Sequence, residues 1–152
     1  MKVYLDTTVV IAFLYGELVE PERFTQARKL FHEVETGSLW GVVSLYVLPE
    51  LYGYVVDHFS EDQVSEIFRL GLVELFTIPV VVMPYLDRVE LELWKRRFSM
   101  RDATDVAHVA MALSGGCDYI ATYDEHFQDV ADLIPARTPE ELLEILTEEK
   151  RQ

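Results

Sequence analysis

Four acidic side chains in this chain stand where a strand ends or a helix begins, the positions from which α/β proteins do chemistry. Asp6 directly follows the apolar run 2–5, and Asp124 follows a second apolar run, 119–122. The carboxyl ends of parallel strands meet at one edge of a sheet, so acids at these points can share a crevice. The complete set is Asp6, Glu50, Asp105 and Asp124.

Carboxylates that converge in one crevice need compensation. Two of them about 5 Å apart repel by roughly 3 kcal/mol at an effective dielectric constant near 20. Either some of them are protonated, with raised pKa values, or a hard cation lies among them. Mg²⁺ or Mn²⁺ fits, since both take oxygen ligands. Such an ion can bind a phosphate oxygen, activate water and neutralise the leaving oxygen, which indicates metal-assisted hydrolysis of a phosphodiester.

Three strand–helix units position these acids. The first is a strand over 2–5 that leads through Asp6 into a helix over 7–15. In the second, a strand over 40–43 is followed by Ser44, a predicted N-cap, and by a helix beginning near Leu45 that carries Glu50. Pro49 within that helix predicts either a kink or the true start of the helix. The third is a helix that begins around Asp102 and Asp105, ends at two glycines and feeds the strand 119–122.

The remaining segments alternate in the same way. Helices are predicted from Pro21 to before Gly37, from Ser60 through a capping box with Gln63, and over 84–98 with four apolar residues inward: Leu86, Val89, Leu93 and Trp94. A further strand is predicted over 79–83, and Thr138, Pro139 and Glu141 cap a terminal helix. The predicted fold class is therefore α/β: one domain over 1–152, with helices on both faces of a mostly parallel sheet of four or five strands.

The sequence around each acid resembles the PIN domain, the fold of VapC-type toxin ribonucleases. The matching segments are YLDTT at Asp6, SLYVLPEL at Glu50, DVAHVAMAL at Asp105 and IATYDEHF at Asp124. The resemblance covers nearly the whole chain. It implies catalysis by the four acids, cleavage of RNA, homodimers joined through helices away from the crevice, and inhibition by a small antitoxin. The apolar helices after Pro21 and Ser60 are candidates for the dimer contact.

Each acid has a predicted role and an ordinary structural alternative. Asp6 and Asp105 are the expected direct metal ligands, Asp124 is a direct or water-mediated ligand, and Glu50 is a further ligand or orients the attacking water. The alternatives are a helix cap for Asp6, a first-turn acid favoured by the helix dipole for Asp105, and a turn residue for Asp124. Asp102 competes with Asp105; we assign the site to Asp105 because His108 and Ala110 follow it as in the PIN pattern.

Other residues have supporting roles. The hydroxyls of Thr7 and Thr122 can orient a carboxylate or a metal-bound water, and Asp102 is a cap or an outer ligand. His108, alone in an apolar helix, is expected to be a hydrogen-bonded core residue. Four basic residues before the Asp105 helix are a candidate RNA-binding rim beside the crevice, with a solvated turn as the alternative: Lys95, Arg96, Arg97 and Arg101.

Composition limits the functional classes. Thirteen Lys and Arg stand against twenty-seven Asp and Glu, a net charge of −14, whereas nucleic-acid binders usually carry a basic surface. An acidic surface would suit an antitoxin with a basic tail. The single cysteine, Cys117, excludes an intrachain disulfide and is expected in the core. Charged residues interrupt every apolar run and no signal-peptide pattern opens the chain, so a cytoplasmic protein without a membrane association is expected.

Two other functions remain open from the sequence. One is a non-catalytic PIN-like module that binds RNA or protein and keeps the acids as a vestigial metal site, which the net charge and Pro49 favour. The other is a metal-dependent phosphatase or a phosphoacceptor of the receiver type. The acid after the first strand permits that chemistry, although neither an aspartate pair at the strand end nor a partner lysine accompanies it.

Overall fold

The structure is a computed structural model that describes residues 1–98, 100 and 102–151. Five parallel strands form one sheet in the order β3-β2-β1-β4-β5. The strands are β1 (Lys2–Leu5), β2 (Trp40–Ser44), β3 (Val81–Met83), β4 (Tyr119–Ala121) and β5 (Ala136–Arg137). The predicted α/β class with a parallel sheet is confirmed.

Seven α-helices and one 3₁₀ helix connect the strands within the described residues. The α-helices are α1 (Thr7–Tyr15), α2 (Pro21–Glu35), α3 (Val47–His58), α4 (Glu61–Thr77), α5 (Arg88–Lys95), α6 (Ala103–Ser114) and α7 (Pro139–Arg151). The 3₁₀ helix spans Glu125–Val130, between β4 and β5. No helix among the described residues is both long and apolar enough to cross a membrane.

The sheet separates two apolar cores because side chains alternate along each strand. Val3 and Leu5 of β1 face the core built with α1, α2, α3, α4 and α7. Tyr4, between them, faces the other core, which contains residues of α6 and of the 3₁₀ helix. Strands buried on both faces are typical of a parallel sheet covered by helices, and this three-layer arrangement is the predicted one.

The strand order places a topological switch point between β1 and β4. The chain leaves β1 toward β2 on one side, whereas β4, the other neighbour of β1, continues to β5 on the opposite side. The backbone N–H of Asp6 donates to the carbonyl of Ala121 at 3.0 Å, which holds the two strand ends together. The segments after β1 and β4 therefore border the crevice in which open α/β sheets bind ligands.

The second strand–helix unit differs from the prediction. Ser44 is the last residue of β2, where its hydroxyl is buried and contacts Tyr4, and α3 begins later, at Val47. Pro49 thus occupies the third helical position. N–H groups in the first turn have no acceptor within the helix, so the proline removes no helical hydrogen bond there. Of the two predicted consequences of Pro49, the start of the helix is the one observed.

Two further predictions needed correction. The helix predicted over 84–98 is confined to α5, which begins at a capping box between Asp87 and Glu90. Of the four residues predicted to face inward, Leu86 and Trp94 are partly buried, whereas Val89 and Leu93 are 69% and 54% exposed. Ser60 is the N-cap residue of α4, but its hydroxyl donates to the Gln63 side chain at 2.7 Å instead of capping a backbone N–H.

Candidate active site

Asp6 is held by three hydrogen bonds at the switch point. It is the N-cap of α1 and only 4% exposed. Its Oδ2 accepts from the Thr8 hydroxyl at 2.7 Å, the Thr122 hydroxyl at 2.9 Å and the Thr8 backbone N–H at 3.2 Å. Among the described residues, no side chain or N–H donates to Oδ1. The carboxylate is therefore fixed through one oxygen, which leaves the other available to a ligand.

Glu50 is held by a different pair of donors, on the β2 side of Asp6. The Thr7 hydroxyl donates to Oε2, and the Nε2 atom of His108 lies 3.0 Å from the same oxygen. Burial raises the pKa of Glu50, but the hydrogen bond and charge of His108 and the hydrogen bond from Thr7 outweigh it. The pKa consequently lies below its usual value. Glu50 is thus an ionised carboxylate within a buried polar network.

His108 connects that network to the sheet. Its ring is 1% exposed, and its Nδ1 lies 2.7 Å from the Tyr4 hydroxyl, which in turn lies 2.6 Å from the Ser44 hydroxyl. Burial lowers the pKa of His108, but the hydrogen bond to Glu50 and the negative charge of Asp6 outweigh it, and the pKa is raised. The expected hydrogen-bonded core histidine is confirmed, and it also forms an ion pair with Glu50.

Of the four predicted site acids, Asp105 is the one that no described residue partners. It lies in the first turn of α6, and its Oδ2 is buried with no hydrogen-bond partner among the described residues. Burial and, after it, the negative charges of Asp124, Asp102 and Asp6 together raise its pKa to about 6. A buried carboxylate oxygen that is neither paired nor hydrogen-bonded is costly. This oxygen is the strongest indication that the crevice holds a cation.

Asp124 and His126 complete a three-residue cluster with Asp105. Asp124 is the N-cap residue of the 3₁₀ helix. Its Oδ1 accepts from the backbone N–H of His126 at 2.9 Å and lies 3.2 Å from Nδ1 of the same residue. One ligand atom from each of Asp105, Asp124 and His126 can be chosen so that all three lie within 4.8 Å of one another. Such spacing allows a single ion to contact all three.

The supporting residues fall in different places. Thr122 donates to Asp6 and accepts from the Asp124 backbone N–H at 3.0 Å, so it links two of the acids. Thr7 contacts Glu50 and not its neighbour Asp6. Asp102 is the exposed N-cap of α6 and accepts from the Thr104 N–H and hydroxyl. Its charge nevertheless acts on both Asp105 and Glu50.

The basic rim is only partly described. Lys95, Arg96 and Arg97 are exposed at the end of α5, where Lys95 pairs with Glu92 and the Arg97 guanidinium lies 4.7 Å from the Trp94 ring centroid. Arg101 lies outside the described residues. The groups that act most strongly on Asp105 are acids and His108, not these cations. The rim therefore stays a prediction.

Four residues around the acids were not among the predicted site residues: Tyr4, Ser44, Thr8 and His126. Tyr4 and Ser44 extend the network of His108, the Thr8 hydroxyl donates to Asp6, and His126 lies beside Asp124. The hydroxyl of Tyr4 on an otherwise apolar strand was one available signal, because a buried hydroxyl needs a partner. The spacing of His126 from Asp124 was another. Ser44 was assigned to a helix cap instead.

The described residues fit a hard divalent cation. Asp105 provides an unpartnered buried oxygen, one carboxylate oxygen of Asp124 lies within 4.8 Å of one of Asp105, and the charge of Asp6 acts on Asp105. Carboxylate oxygens are the ligands that Mg²⁺ and Mn²⁺ prefer. A cation here would also neutralise the charge that raises the pKa of Asp105. The identity of the ion is not fixed by these contacts.

An open parallel sheet with acids clustered at its switch point defines a class of α/β proteins that bind a ligand or ion at the carboxyl edge. Within that class, the family model of the PIN domain matches residues 2–126. The chain belongs to the PIN domain family. No curated protein is similar enough in sequence to count as a relative.

Several solved structures share this fold. A chain of VapBC2 from Rickettsia felis, bound to a DNA fragment from its promoter, has a TM-score of 0.60 and 12% identity over 91% of this chain and 98% of its own. VapC20 of Mycobacterium tuberculosis, a toxin that cleaves the sarcin–ricin loop, has a TM-score of 0.61 and 17% identity, over 83% of this chain and 92% of its own. VapBC-1 of nontypeable Haemophilus influenzae has a TM-score of 0.56 and 18% identity, over 92% of this chain and 99% of its own. At these identities the likeness supports the fold alone.

Proposed function

We propose that this protein is a ribonuclease that hydrolyses RNA phosphodiester bonds with Mg²⁺ or Mn²⁺, as the toxin of a toxin–antitoxin pair. The observation that carries the proposal is the unpartnered, buried Oδ2 of Asp105 among other acids. A vestigial site would have no reason to keep such a costly arrangement, because a neutral side chain would remove the penalty. The PIN family and the VapC fold neighbours point to the same activity.

The acids divide the work according to their contacts. Asp6 and Asp105 are the direct ligands, because each has a carboxylate oxygen to which no described residue donates, and Asp124 is the third carboxylate. An ion held by these acids would supply a Lewis acid for the phosphate and would lower the pKa of a water beside it. Glu50, kept ionised by His108 and Thr7, orients the attacking water or accepts its proton. The Thr122 hydroxyl fixes the position of Asp6 relative to Asp124 by hydrogen-bonding to both residues.

We further propose that residues beyond the family match belong to the same domain. The backbone of β5 pairs with β4, and α7 packs its Leu142 and Leu146 into the core that α1 and α2 share. The domain would then span 1–152. This arrangement also places the terminal acidic helix on the face of the sheet opposite α6.

The partner proposals rest on charge and exposed apolar area. A net charge of −14 suits an antitoxin with a basic tail that lies across the acids. For the homodimer, α4 offers exposed Leu70, Val73 and Phe76. The apolar face of α2 packs inside the core, through residues such as Leu30 and Phe31. That face is therefore not available for a contact between two protomers.

The experiment is RNA cleavage by the purified chain with Mg²⁺, Mn²⁺ or EDTA. Asp6→Asn, Glu50→Gln, Asp105→Asn and Asp124→Asn should each remove most activity while the far-ultraviolet circular dichroism of the fold is unchanged. Glu35→Gln, an exposed acid on α2 beside His32, is the matched control and should cleave as the wild type does. RNA binding without cleavage would favour the non-catalytic module, which the net charge supports. Hydrolysis of small phosphate esters without RNA cleavage would favour a phosphatase.

A further inference from the structure

We propose that His126 is a nitrogen ligand of the metal site and that it makes the protein select Mn²⁺ over Mg²⁺. The inference rests on the proposed function, since it concerns the same ion. It goes beyond that function because a site made of carboxylates alone would not favour Mn²⁺ over Mg²⁺ as a site with a nitrogen ligand does. Two observations carry it: the spacing of the cluster Asp105, Asp124 and His126, and the buried Asp105 oxygen without a partner.

The spacing of the three ligand atoms is close to that of ligands on one six-coordinate ion. With metal–ligand distances of about 2.1 Å, neighbouring ligand atoms in an octahedron lie about 3 Å apart and opposite ones about 4.2 Å apart. The Nδ1 atom of His126 and Oδ1 of Asp124 are 3.2 Å apart, a neighbouring pair in this geometry. The full set lies within 4.8 Å, so small side-chain rotations bring all three onto a common centre.

The ligand atoms also sit on well-fixed elements. Asp105 is in the first turn of α6, and Asp124 is the N-cap of the 3₁₀ helix that begins with Glu125. The backbone N–H of His126 donates to Asp124, so the carboxylate and the imidazole come from one ordered turn. The His126 side chain is 46% exposed, which allows its ring to rotate toward the ion without disturbing the core.

A nitrogen ligand changes which ion binds best. Mg²⁺ prefers oxygen ligands and keeps several waters, whereas imidazole suits transition metals. Replacing one carboxylate or water by a neutral imidazole therefore favours Mn²⁺ and the later divalent metals of the first transition row. A cluster of oxygens only would leave the choice to the concentrations of the two ions. His126 thus acts on ion selectivity rather than on the existence of the site.

The test measures metal binding directly, with no substrate present. Mn²⁺ and Mg²⁺ affinities are measured by calorimetry for wild type, His126→Gln, Asp105→Asn and His32→Gln. His32 is the matched control, since it is an exposed histidine that pairs with Glu35 at 3.4 Å on α2, outside the acidic cluster. Pulsed electron paramagnetic resonance of the Mn²⁺-loaded protein then reports whether a ¹⁴N nucleus is bound to the ion.

The expected result is a ¹⁴N coupling in wild type and His32→Gln that His126→Gln lacks. Losing the imidazole should lower Mn²⁺ affinity by about ten- to a hundredfold and change Mg²⁺ affinity by less than about threefold. Wild-type Mn²⁺ without ¹⁴N coupling, or an unchanged Mn²⁺ affinity in His126→Gln, would overturn the inference. If Asp105→Asn still abolishes binding in that case, the metal site itself stands. If wild type binds neither ion, the inference and the proposed function fail together.

Discussion

Replacing Asp105 by Asn should make the metal-free protein more stable and the metal-loaded protein less stable than wild type. In the folded protein the pKa of Asp105 is raised from 3.8 to about 6, by burial and then by Asp124, Asp102 and Asp6. The folded state holds this proton more tightly than the unfolded chain does. The contribution of Asp105 to stability is therefore most favourable below about pH 4 and falls as pH rises from about 4 to about 6.

The magnitude follows from that shift. About two pH units correspond to roughly 3 kcal/mol of free energy of unfolding. Because the Asp105 side chain is partly exposed, solvent screening reduces the expected penalty to about 1 kcal/mol. Asn carries no charge, so Asp105→Asn should gain about this amount at pH 7.5. For a chain of this length, that gain raises the melting temperature by about 2–4 °C.

Metal should reverse the order. A ligand at a hundred times its dissociation constant stabilises the folded state by about 2.7 kcal/mol, and the variant that lacks the carboxylate should gain little of it. The assay is thermal unfolding of both proteins at pH 7.5 with EDTA and with Mn²⁺. Asp102→Asn is the control, because the pKa of Asp102 is shifted in the opposite direction to that of Asp105. Hydrogen bonds from Thr104 lower the pKa of Asp102, so its ionised form stabilises the fold above pH 4 and the substitution should give no gain.

A lower stability of Asp105→Asn than of wild type in EDTA would contradict this prediction. That result would mean that the carboxylate makes favourable contacts in the metal-free protein, so no cation would be needed to compensate the burial of its oxygen. Equal stabilisation of both proteins by Mn²⁺ would instead place the ion away from Asp105.

Three other predictions concern the same region and its scaffold. Thr7→Val removes a donor to Glu50 and should cost about 1–2 kcal/mol of unfolding free energy at pH 7 in urea titrations. Because the pKa of Glu50 is lowered, that cost should shrink as pH falls through 4, and a constant cost would contradict the network. Protons compete with the ion for Asp105, so Mn²⁺ affinity from calorimetry should be about tenfold lower at pH 5 than at pH 7, and a flat profile would exclude Asp105 as a ligand. Gly116 has a φ of +62°, so Gly116→Ala should destabilise by about 1 kcal/mol, whereas Gly53→Ala on α3, where a Cβ meets no atom within 4 Å, should stabilise by about 0.5–1 kcal/mol; equal effects on the melting temperature would contradict this.

The sheet was largely predictable because its strands carry strong local signals. β1 and β4 are short apolar runs that end at polar residues, and the strand–helix alternation predicts a parallel sheet. β5 was missed because two residues, Ala136–Arg137, are too few to show any alternation. Its place is set by pairing with β4, which is a tertiary contact with no local signature.

α5 shows where a helical pattern misleads. The spacing of Val89 and Leu93 predicts a buried face, but it does not say whether another element covers that face. α5 follows the edge strand β3, whose Val81 and Val82 are themselves 42% and 43% exposed. At the edge of a sheet there is less protein to pack against, so apolar residues with helical spacing stay in contact with solvent.

The acids of the candidate site could be predicted from the sequence, but the residues that hydrogen-bond to them could not. An Asp directly after a strand is a common pattern, and the prediction rests on four acids in this order together with the motifs around Asp105 and Asp124. The contacts of Glu50 with Thr7 and His108 join residues 43 and 58 positions apart, which no local pattern encodes. Ser44 illustrates the error that results, because a serine before a helix suggests a cap until the strand alignment brings it to Tyr4.

Whether the carboxylates at the switch point hold a divalent cation can be measured by anomalous diffraction from crystals soaked in Mn²⁺, because the signal locates the ion without assuming any ligand. We expect one strong peak about 2.1 Å from Oδ2 of Asp105 and within bonding reach of Asp124, absent from crystals of Asp105→Asn. A saturating soak with no peak in the crevice, or a peak that survives in Asp105→Asn, would contradict this expectation.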